Sequence, residues 1–418
     1  MKKLPLTAII QLCFFACATA QNLPEKDKPQ ALAPDILTTL VSVGKAPAPK
    51  ATGGKMPITP LIRVFNNYTA SPLSNVRLEW ELLVNGTPGA KGAIVNLFIA
   101  ARQSKEIRLP AKIPTGPGEE VFLNIRYLLK KQEALHPAGF VVAEKQLLLK
   151  KAKMEELTVK PAGELTFRDE DGLFTVNSPL SNAAFQFSKQ TGWLQSCVLK
   201  GAAILDDTPG LKPDIPAEPR LQLFSTSTSS ELVIVRSDYT LPEVTCMLHV
   251  HYTINAKGEM LVDQVMEADS TSNGTNKDTT GSAAAGSLGK DGPAGKVPLL
   301  PRFGMLWILP AGYDSIAYYG PGPQGRETGG DDSAEIGIYG QRVQATGTRT
   351  SVRWWKVMDH QGKGLLITAD SSLLNISTLQ PAGEGRPGTR LYIDYRPMDS
   401  GGGITENYHL TYKCSFIP

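Results

Sequence analysis

The groups in this 418-residue chain that could carry chemistry are carboxylates, histidines, cysteines and a handful of aromatics beside one arginine. The carboxylates gather in Asp169-Glu170-Asp171, ahead of Gly172, and in Asp331-Asp332, behind two glycines. Paired carboxyls are what acid–base catalysis needs, but the first run has the make-up of a hairpin tip and the second that of a solvated loop. His249 and His251 stand two apart in LHVHY, which puts both rings on one face of a strand. Such a pair binds metal only with a third ligand, and none is evident, so a wetted strand face is the simpler reading. His360 falls in the turn Asp359-His360-Gln361-Gly362, and His136 and His409 lie in strand-like surroundings. Cys197, Cys246 and Cys414 are widely spaced, without CxxC or CxxH, and read as buried thiols with one bridge left open. No general base, Ser-His-Asp arrangement or phosphate loop stands out. No catalytic residue is therefore assigned, and no metal or cofactor is expected. What remains is the make-up of a shallow ligand site, flat aromatic faces beside a few fixed polar groups: Tyr318, Tyr319, Arg353, Trp355 and Tyr395. Neighbouring strand residues point to opposite faces, so at least one of Trp354 and Trp355 must belong to the core.

The elements that would hold these residues are strands. Val76, Leu78, Trp80, Leu82 and Val84 share one face against Arg77, Glu79 and Glu81 on the other, and Asn85-Gly86 follows as a hairpin turn. Val121, Leu123, Ile125, Tyr127 and Leu129 repeat the two-residue period, as do Leu248, Val250, Tyr252 and Ile254. Further strands are expected at 305–309, 352–358 and 365–368. No amphipathic helix of a dozen residues is found, and no alternation of strand with helix, which excludes a (β/α)8 barrel within these residues. The expected class is all-β, in two sandwiches. Residues 58–155 suit a seven-stranded immunoglobulin-like sandwich, and residues 156–418 one large sandwich. Residues 21–57, rich in Pro, Ala, Gly and Lys, read as a flexible linker with a short apolar patch at 36–43. Residues 269–296, dominated by Ser, Thr, Gly, Ala and Asn, read as a disordered insert in the second sandwich.

Residues 1–20 have the order of a signal peptide: Lys2-Lys3, an apolar stretch over 4–15, and Ala18-Thr19-Ala20 ahead of Gln21. A second reading of the same stretch is lipid anchoring at Cys17. Either way the expected location is exported, periplasmic or extracellular. The apolar stretch is too short to span a bilayer and nothing later is longer, so no membrane span is expected. The formal charge is +3, and removal of Lys2 and Lys3 leaves +1. That balance leaves no electrostatic footprint for nucleic acid.

Several motifs bear a resemblance. LSNVRLEWELLVNGTP (73–88), GPGEEVFLNIRYLL (116–129) and HPAGFVVAEKQLLL (136–149) resemble the immunoglobulin-like domain that follows the catalytic barrel in glycoside hydrolase family 2 β-galactosidases. FQFSKQTGWLQS (185–196), LPRFGMLWILPAGYDSIAYYGPGPQ (300–324), VRWWKVMDHQGKGLLITAD (352–370), YIDYRPMDSGGG (392–403) and ENYHLTYK (406–413) resemble the small chain of the same enzymes, a supersandwich related to galactose mutarotases. The resemblance implies an immunoglobulin-like sandwich followed by a galactose-mutarotase-like β-supersandwich, and it makes a galactoside-like carbohydrate the ligand expected at the aromatic set.

The departures matter as much. The family hydrolyses with two barrel carboxyls, its acid/base in an Asn-Glu pair, and this chain has neither barrel nor Asn-Glu dipeptide. Gln324-Gly325-Arg326-Glu327-Thr328 stands where the family continues Glu-Asn-Tyr, and Pro213-Asp214-Ile215-Pro216 stands for its Arg-Ala-Pro-x-Asp-Asn-Asp. Gly401-Gly402-Gly403-Ile404-Thr405 lacks the tryptophan of the family's Gly-Gly-x-x-Ser-Trp. The expectation is a non-catalytic carbohydrate-binding or accessory module; the alternative is a small subunit that completes a separately encoded barrel chain.

Overall fold

The computed structural model describes residues 35–45, 57–153, 156–205, 211–268, 297–298, 300, 302–323, 334–343, 348–370, 372–379, 388–395 and 407–417. The expected signal peptide, Cys17 and the 269–296 insert lie outside them. All regular structure among these residues is β, in two sandwiches, as the residue periods predict.

Among the described residues the first sandwich has seven strands: β1 (Ile36–Lys45), β2 (Ile58–Asn66), β3 (Val76–Val84), β4 (Thr87–Ile94), β5 (Ser104–Arg108), β6 (Val121–Leu129) and β7 (Val141–Lys150). One sheet runs β1-β2-β5 and the other β4-β3-β6-β7. Strand β1 corrects the linker reading of residues 21–57. Its alternate residues Ile36, Thr38 and Leu40 turn inward, it pairs along β2, and Thr38 Oγ1 hydrogen-bonds Tyr127 Oη of the facing sheet at 2.6 Å. The low-complexity flanks masked a period that only the core makes visible. Leu78, Trp80, Leu82, Leu123, Ile125 and Tyr127 fill that core, on the faces their alternation assigns.

Among the described residues the second sandwich has nineteen strands. The first ten are β8 (Thr166–Glu170), β9 (Leu173–Ser178), β10 (Ala183–Ser188), β11 (Leu194–Leu199), β12 (Ala202–Ala203), β13 (Leu211–Asp214), β14 (Arg220–Thr228), β15 (Leu232–Leu241), β16 (Cys246–Asn255) and β17 (Met260–Ala268). Then come β18 (Gly304–Leu309), β19 (Ser315–Pro321), β20 (Ile336–Arg342), β21 (Arg349–Val352), β22 (Trp354–Met358), β23 (Gly364–Ala369), β24 (Leu374–Leu379), β25 (Thr389–Asp394) and β26 (Tyr408–Ile417). A ten-stranded sheet runs β21-β24-β25-β18-β13-β11-β10-β9-β8, with β12 on β11. A nine-stranded sheet runs β14-β15-β16-β17-β26-β23-β22-β19-β20. One continuous core lies between them. The strand expected over 352–358 is two: β21 belongs to one sheet and β22 to the other, and the chain changes sheets at Arg353, just after Ser351 at φ 55°.

That crossover faces the first sandwich. The Asn85-Gly86 turn has φ 49° and 77°, the pair of left-handed residues a tight hairpin needs. Asn85 N donates to Glu120 O (2.9 Å), and Glu120 N donates back to Asn85 Oδ1 (2.8 Å). So held, the buried Glu120 carboxylate accepts Arg353 Nε (3.0 Å) and Nη2 (2.8 Å) across the seam, together with Tyr319 Oη at 2.5 Å. Gly86 lies beneath Tyr319, where a Cβ would fall 2.7 Å from the ring. Beside them the Gln146 amide pairs with the backbone of β20, donating to Ile336 O at 2.8 Å and accepting from Ile336 N at 2.7 Å. Strand β6 is consequently buried on both faces except at Arg126. Removing one partner of such a buried pair strands the other, a loss of about 3–5 kcal/mol. Arg353→Ala is therefore expected to lower the unfolding free energy by about 3 kcal/mol in urea titrations. Arg353→Lys, lacking the two-pronged fork, should recover only part of it.

Candidate functional site

The five residues expected to line a ligand site do not come together on an open surface. Tyr318 and Trp355 are fully buried between the sheets, their rings stacked at 4.8 Å. Tyr319 and Arg353 point the other way, but the first sandwich covers that side and Glu120 engages both. Burial, reinforced by the Glu120 carboxylate, raises the Tyr319 hydroxyl above its ordinary pKa. Tyr395 sits on the opposite sheet, edge-on to Phe303 and Tyr408. The prediction of one aromatic site is thus corrected: alternation sent two rings inward, and a neighbouring domain covered the next two groups. Trp354 is the partly exposed member of its pair, with Lys356 Nζ 5.2 Å from its ring.

Tyr395 does border a charged cluster that sequence reasoning passed over. On the face of the ten-stranded sheet turned away from the core, register places Asp214, Gly304, Asp394 and Asn375 side by side across β13, β18, β25 and β24. Lys212, Leu306, Tyr392 and Ser377 form the next row. Arg302 precedes β18 on the same face. Its Nε and Nη2 donate to the two Asp394 carboxylate oxygens, each at 2.9 Å, and the guanidinium lies 4.3 Å from the centre of the Tyr392 ring. Asp214 Oδ2 stands 3.1 Å from Arg302 Nε in an ion-pair contact not aligned as a hydrogen bond, and this oxygen is itself closed to solvent. Asn375 Nδ2 donates to Tyr395 O at 2.9 Å, fixing the end of the row. Burial raises the Asp394 carboxyl above the usual range, Arg302 opposes it, and Asp214 adds to the rise. Arg302 is desolvated too, yet the bonds to Asp394 win and hold it more firmly charged.

The row explains a sequence pattern. A Cβ at position 304 would lie 2.4 Å from both Asp394 Oδ1 and Ile393 O, so only glycine leaves room for the carboxylate that pairs with Arg302. Arg302-Phe303-Gly304 is thus one structural unit with Tyr392-Ile393-Asp394-Tyr395. Asp214 comes from the shortened Pro213–Pro216 segment, whose brevity concealed that one carboxylate survives in it. Chemically the row is a guanidinium between two carboxylates over a tyrosine ring, a set that gives and takes hydrogen bonds on a planar scaffold.

Of the remaining reactive groups, two histidines are committed elsewhere. His249 has both ring nitrogens engaged, Nδ1 with Asp238 at 2.7 Å and Nε2 with Glu267 at 3.3 Å, and His409 pairs with Asp263 at 2.6 Å. Burial, then Arg236, lower the pKa of His251. Among the described residues no group of three or more His, Cys, Asp or Glu is arranged to hold a metal ion. Cys197, Cys246 and Cys414 are buried, and no disulfide joins them. Asp169-Glu170 ends β8 before the turn at Gly172, with Asp169 paired to Lys189. Asp331-Asp332 lies outside the described residues.

Residues 62–150 match the family described as β-galactosidase, domain 4. Residues 180–384 match the family described as β-galactosidase small chain. A β-galactosidase of Priestia megaterium (strain DSM 319 / IMG 1521) is 24% identical over 340 residues, covering 73% of this chain and 30% of the relative. One of Lactobacillus delbrueckii subsp. bulgaricus is 26% identical over 330 residues, covering 72% and 30%. The chain thus spans about 30% of the length of these curated relatives. Among solved structures, a putative mutarotase from Salmonella typhimurium overlaps 62% of this chain and 96% of its own, with a TM-score of 0.36 and 11% identity, a likeness of general architecture alone. Motif order, the two matched regions and the relatives agree: the chain carries the domain 4 and small-chain region of the β-galactosidases.

Proposed function

We propose that this chain is an exported, non-catalytic accessory module that binds galactoside-like carbohydrate along the Asp214–Arg302–Asp394 row. The observation that carries the reading is the Arg302 fork, 36% exposed and locked by Asp394, beside the partly exposed Asp214 side chain. Sugar hydroxyls both donate and accept. The Asp214 side chain, 23% exposed, offers a carboxylate acceptor, and the guanidinium keeps N–H donors beyond the two that Asp394 uses. Retaining hydrolysis would need one carboxyl as nucleophile and another as acid/base, whereas here both contact one guanidinium and are disposed as ligands. Export rests on the order of residues 1–20.

A second reading has its own support. The seam joins the domain 4 and small-chain regions, so the pair is suited to act as one subunit beside a separately encoded barrel chain. Turnover that appears only when such a chain is added would favour it.

Glycan-array and calorimetric binding, with aryl β-galactoside hydrolysis assayed on the same sample, separate these readings. Binding without turnover is expected, weakened about tenfold or more in Arg302→Ala through loss of a charge-assisted bond. Tyr319→Phe, which changes only the seam, should leave affinity unchanged. Hydrolysis by the purified chain that survives every purification step would contradict the non-catalytic assignment. Gly304→Ala is expected to push Asp394 off the row, weakening binding and lowering stability by about 1–3 kcal/mol, read by calorimetry and thermal unfolding.

A further inference from the structure

Alternation along β3 turns Glu79 and Glu81 away from the core that Leu78, Trp80 and Leu82 fill. On that outer face, register sets Lys91, Glu81, Asn124 and Gln146 in one row across β4, β3, β6 and β7, and Ala93, Glu79, Arg126 and Glu144 in the next. The two rows form a groove of about 430 Å³ whose polar lining is Glu79, Glu81, Lys91, Asn124 and Arg126. Glu335, just ahead of β20, approaches from the second sandwich, its Oε2 4.0 Å from Arg126 Nη2. Asn124 is only 9% exposed, and Gln146 Nε2 donates to its Oδ1 at 2.9 Å. The Asn124 amide is thereby fixed, and no described residue accepts from its Nδ2. Among the described residues, four carboxylates here (Glu79, Glu81, Glu144 and Glu335) meet three cations. Arg77 pairs with Glu79 at 2.8 Å, while Arg126 is shared between Glu144 at 3.8 Å and Glu335 at 4.0 Å. The third cation, Lys91, is exposed on the edge strand. Glu335 Oε1 is closed to solvent and has no hydrogen-bond partner. Burial and then Glu144 raise the Glu335 carboxyl above its ordinary pKa, Arg126 opposes them, and Glu81 adds to the rise.

We infer that this groove is a binding site for a small organic ammonium compound, its N–H donors on Glu81 and Glu335 and a neighbouring oxygen of the same molecule on Asn124 Nδ2. A protonated amine brings the cation that the four carboxylates lack, and its hydrogen bonds to them are charge-assisted. A neutral hydroxyl in the same place would satisfy Asn124 but leave the surplus carboxylate unmatched, and a buried carboxylate oxygen without a partner is costly. The oxygen on Asn124 gives the site direction, because an amide held by Gln146 donates along one line only. Small-molecule sites favour such junctions between domains. The groove lies on the first sandwich, so the inference does not depend on what the Arg302 row binds.

The test titrates galactosamine, N-acetylgalactosamine and galactose by calorimetry into the full chain near neutral pH, in the wild type and in Arg302→Ala. Only galactosamine carries an ammonium, and it is expected to bind about tenfold or more tightly than the other two, with the preference kept in Arg302→Ala. Glu81→Gln and Glu335→Gln preserve shape and remove one charge each, and either should erase the preference while thermal unfolding stays cooperative. Equal binding of the three sugars, or no binding of galactosamine, would overturn the inference and mean that the groove's carboxylates are matched from within the chain. A preference that disappears in Arg302→Ala but survives in Glu81→Gln would also overturn it, placing the ammonium on the Arg302 row and leaving the reading of that row intact.

Discussion

Glu120 is an anion buried where two domains meet, and a buried anion must be matched or it unfolds its surroundings. Three arrangements in this protein answer that requirement. The Asn85-Gly86 turn grips the Glu120 backbone, the Arg353 fork meets the carboxylate bidentately, and the Tyr319 hydroxyl closes the set. Each in turn constrains more sequence. Gly86 must be glycine for its φ and for the ring above it. Arg353 must stand where the chain passes from the ten-stranded to the nine-stranded sheet. Tyr319 must face outward while Tyr318 beside it faces in. Much of what the motifs at 73–88, 300–324 and 352–370 have in common is this one contact.

The same chemistry recurs at Arg302 with a different outcome. Both clusters pair one guanidinium bidentately with a carboxylate beside a tyrosine ring. At the seam the carboxylate and guanidinium are nearly closed off, with side-chain exposures of 8% and 14%. At the row Arg302 is 36% exposed and a second carboxylate stands beside it. One cluster is therefore closed off between the domains, and the other stays partly open to solvent. Exposure, not residue type, separates the two clusters.

That distinction limits what could be seen in the residues alone. Strand faces were legible because the two-residue period is a local property: Leu78 and Trp80, or Val250 and Tyr252, alternate with polar neighbours wherever they end up. The all-β class and the two sandwiches followed from it. Covering by another domain is not local, so Tyr319 and Arg353 looked like surface groups. Register between distant strands is not local either, and only the sheet order brings Asp214, Arg302 and Asp394 together from three separate motifs. The strand at Ile36–Lys45 was missed for a related reason, since its partners, Asn66 to Ile58 and Tyr127, lie beyond an uninformative stretch. Gly304 was visible as part of a motif, but its reason, the space occupied by the Asp394 carboxylate, was not.

An account in which one buried ion pair organises two domains makes a quantitative demand that single substitutions cannot meet. A double-mutant cycle on Glu120→Gln and Arg353→Met, read by urea unfolding of the whole chain, measures their coupling directly. The two changes are expected to be strongly non-additive, with a coupling of about 2 kcal/mol or more, because losing the second partner relieves the charge stranded by the first. Costs that add to within about 0.5 kcal/mol would mean the two groups act independently, and the seam would then owe its order to packing around Gly86 and Gln146 instead.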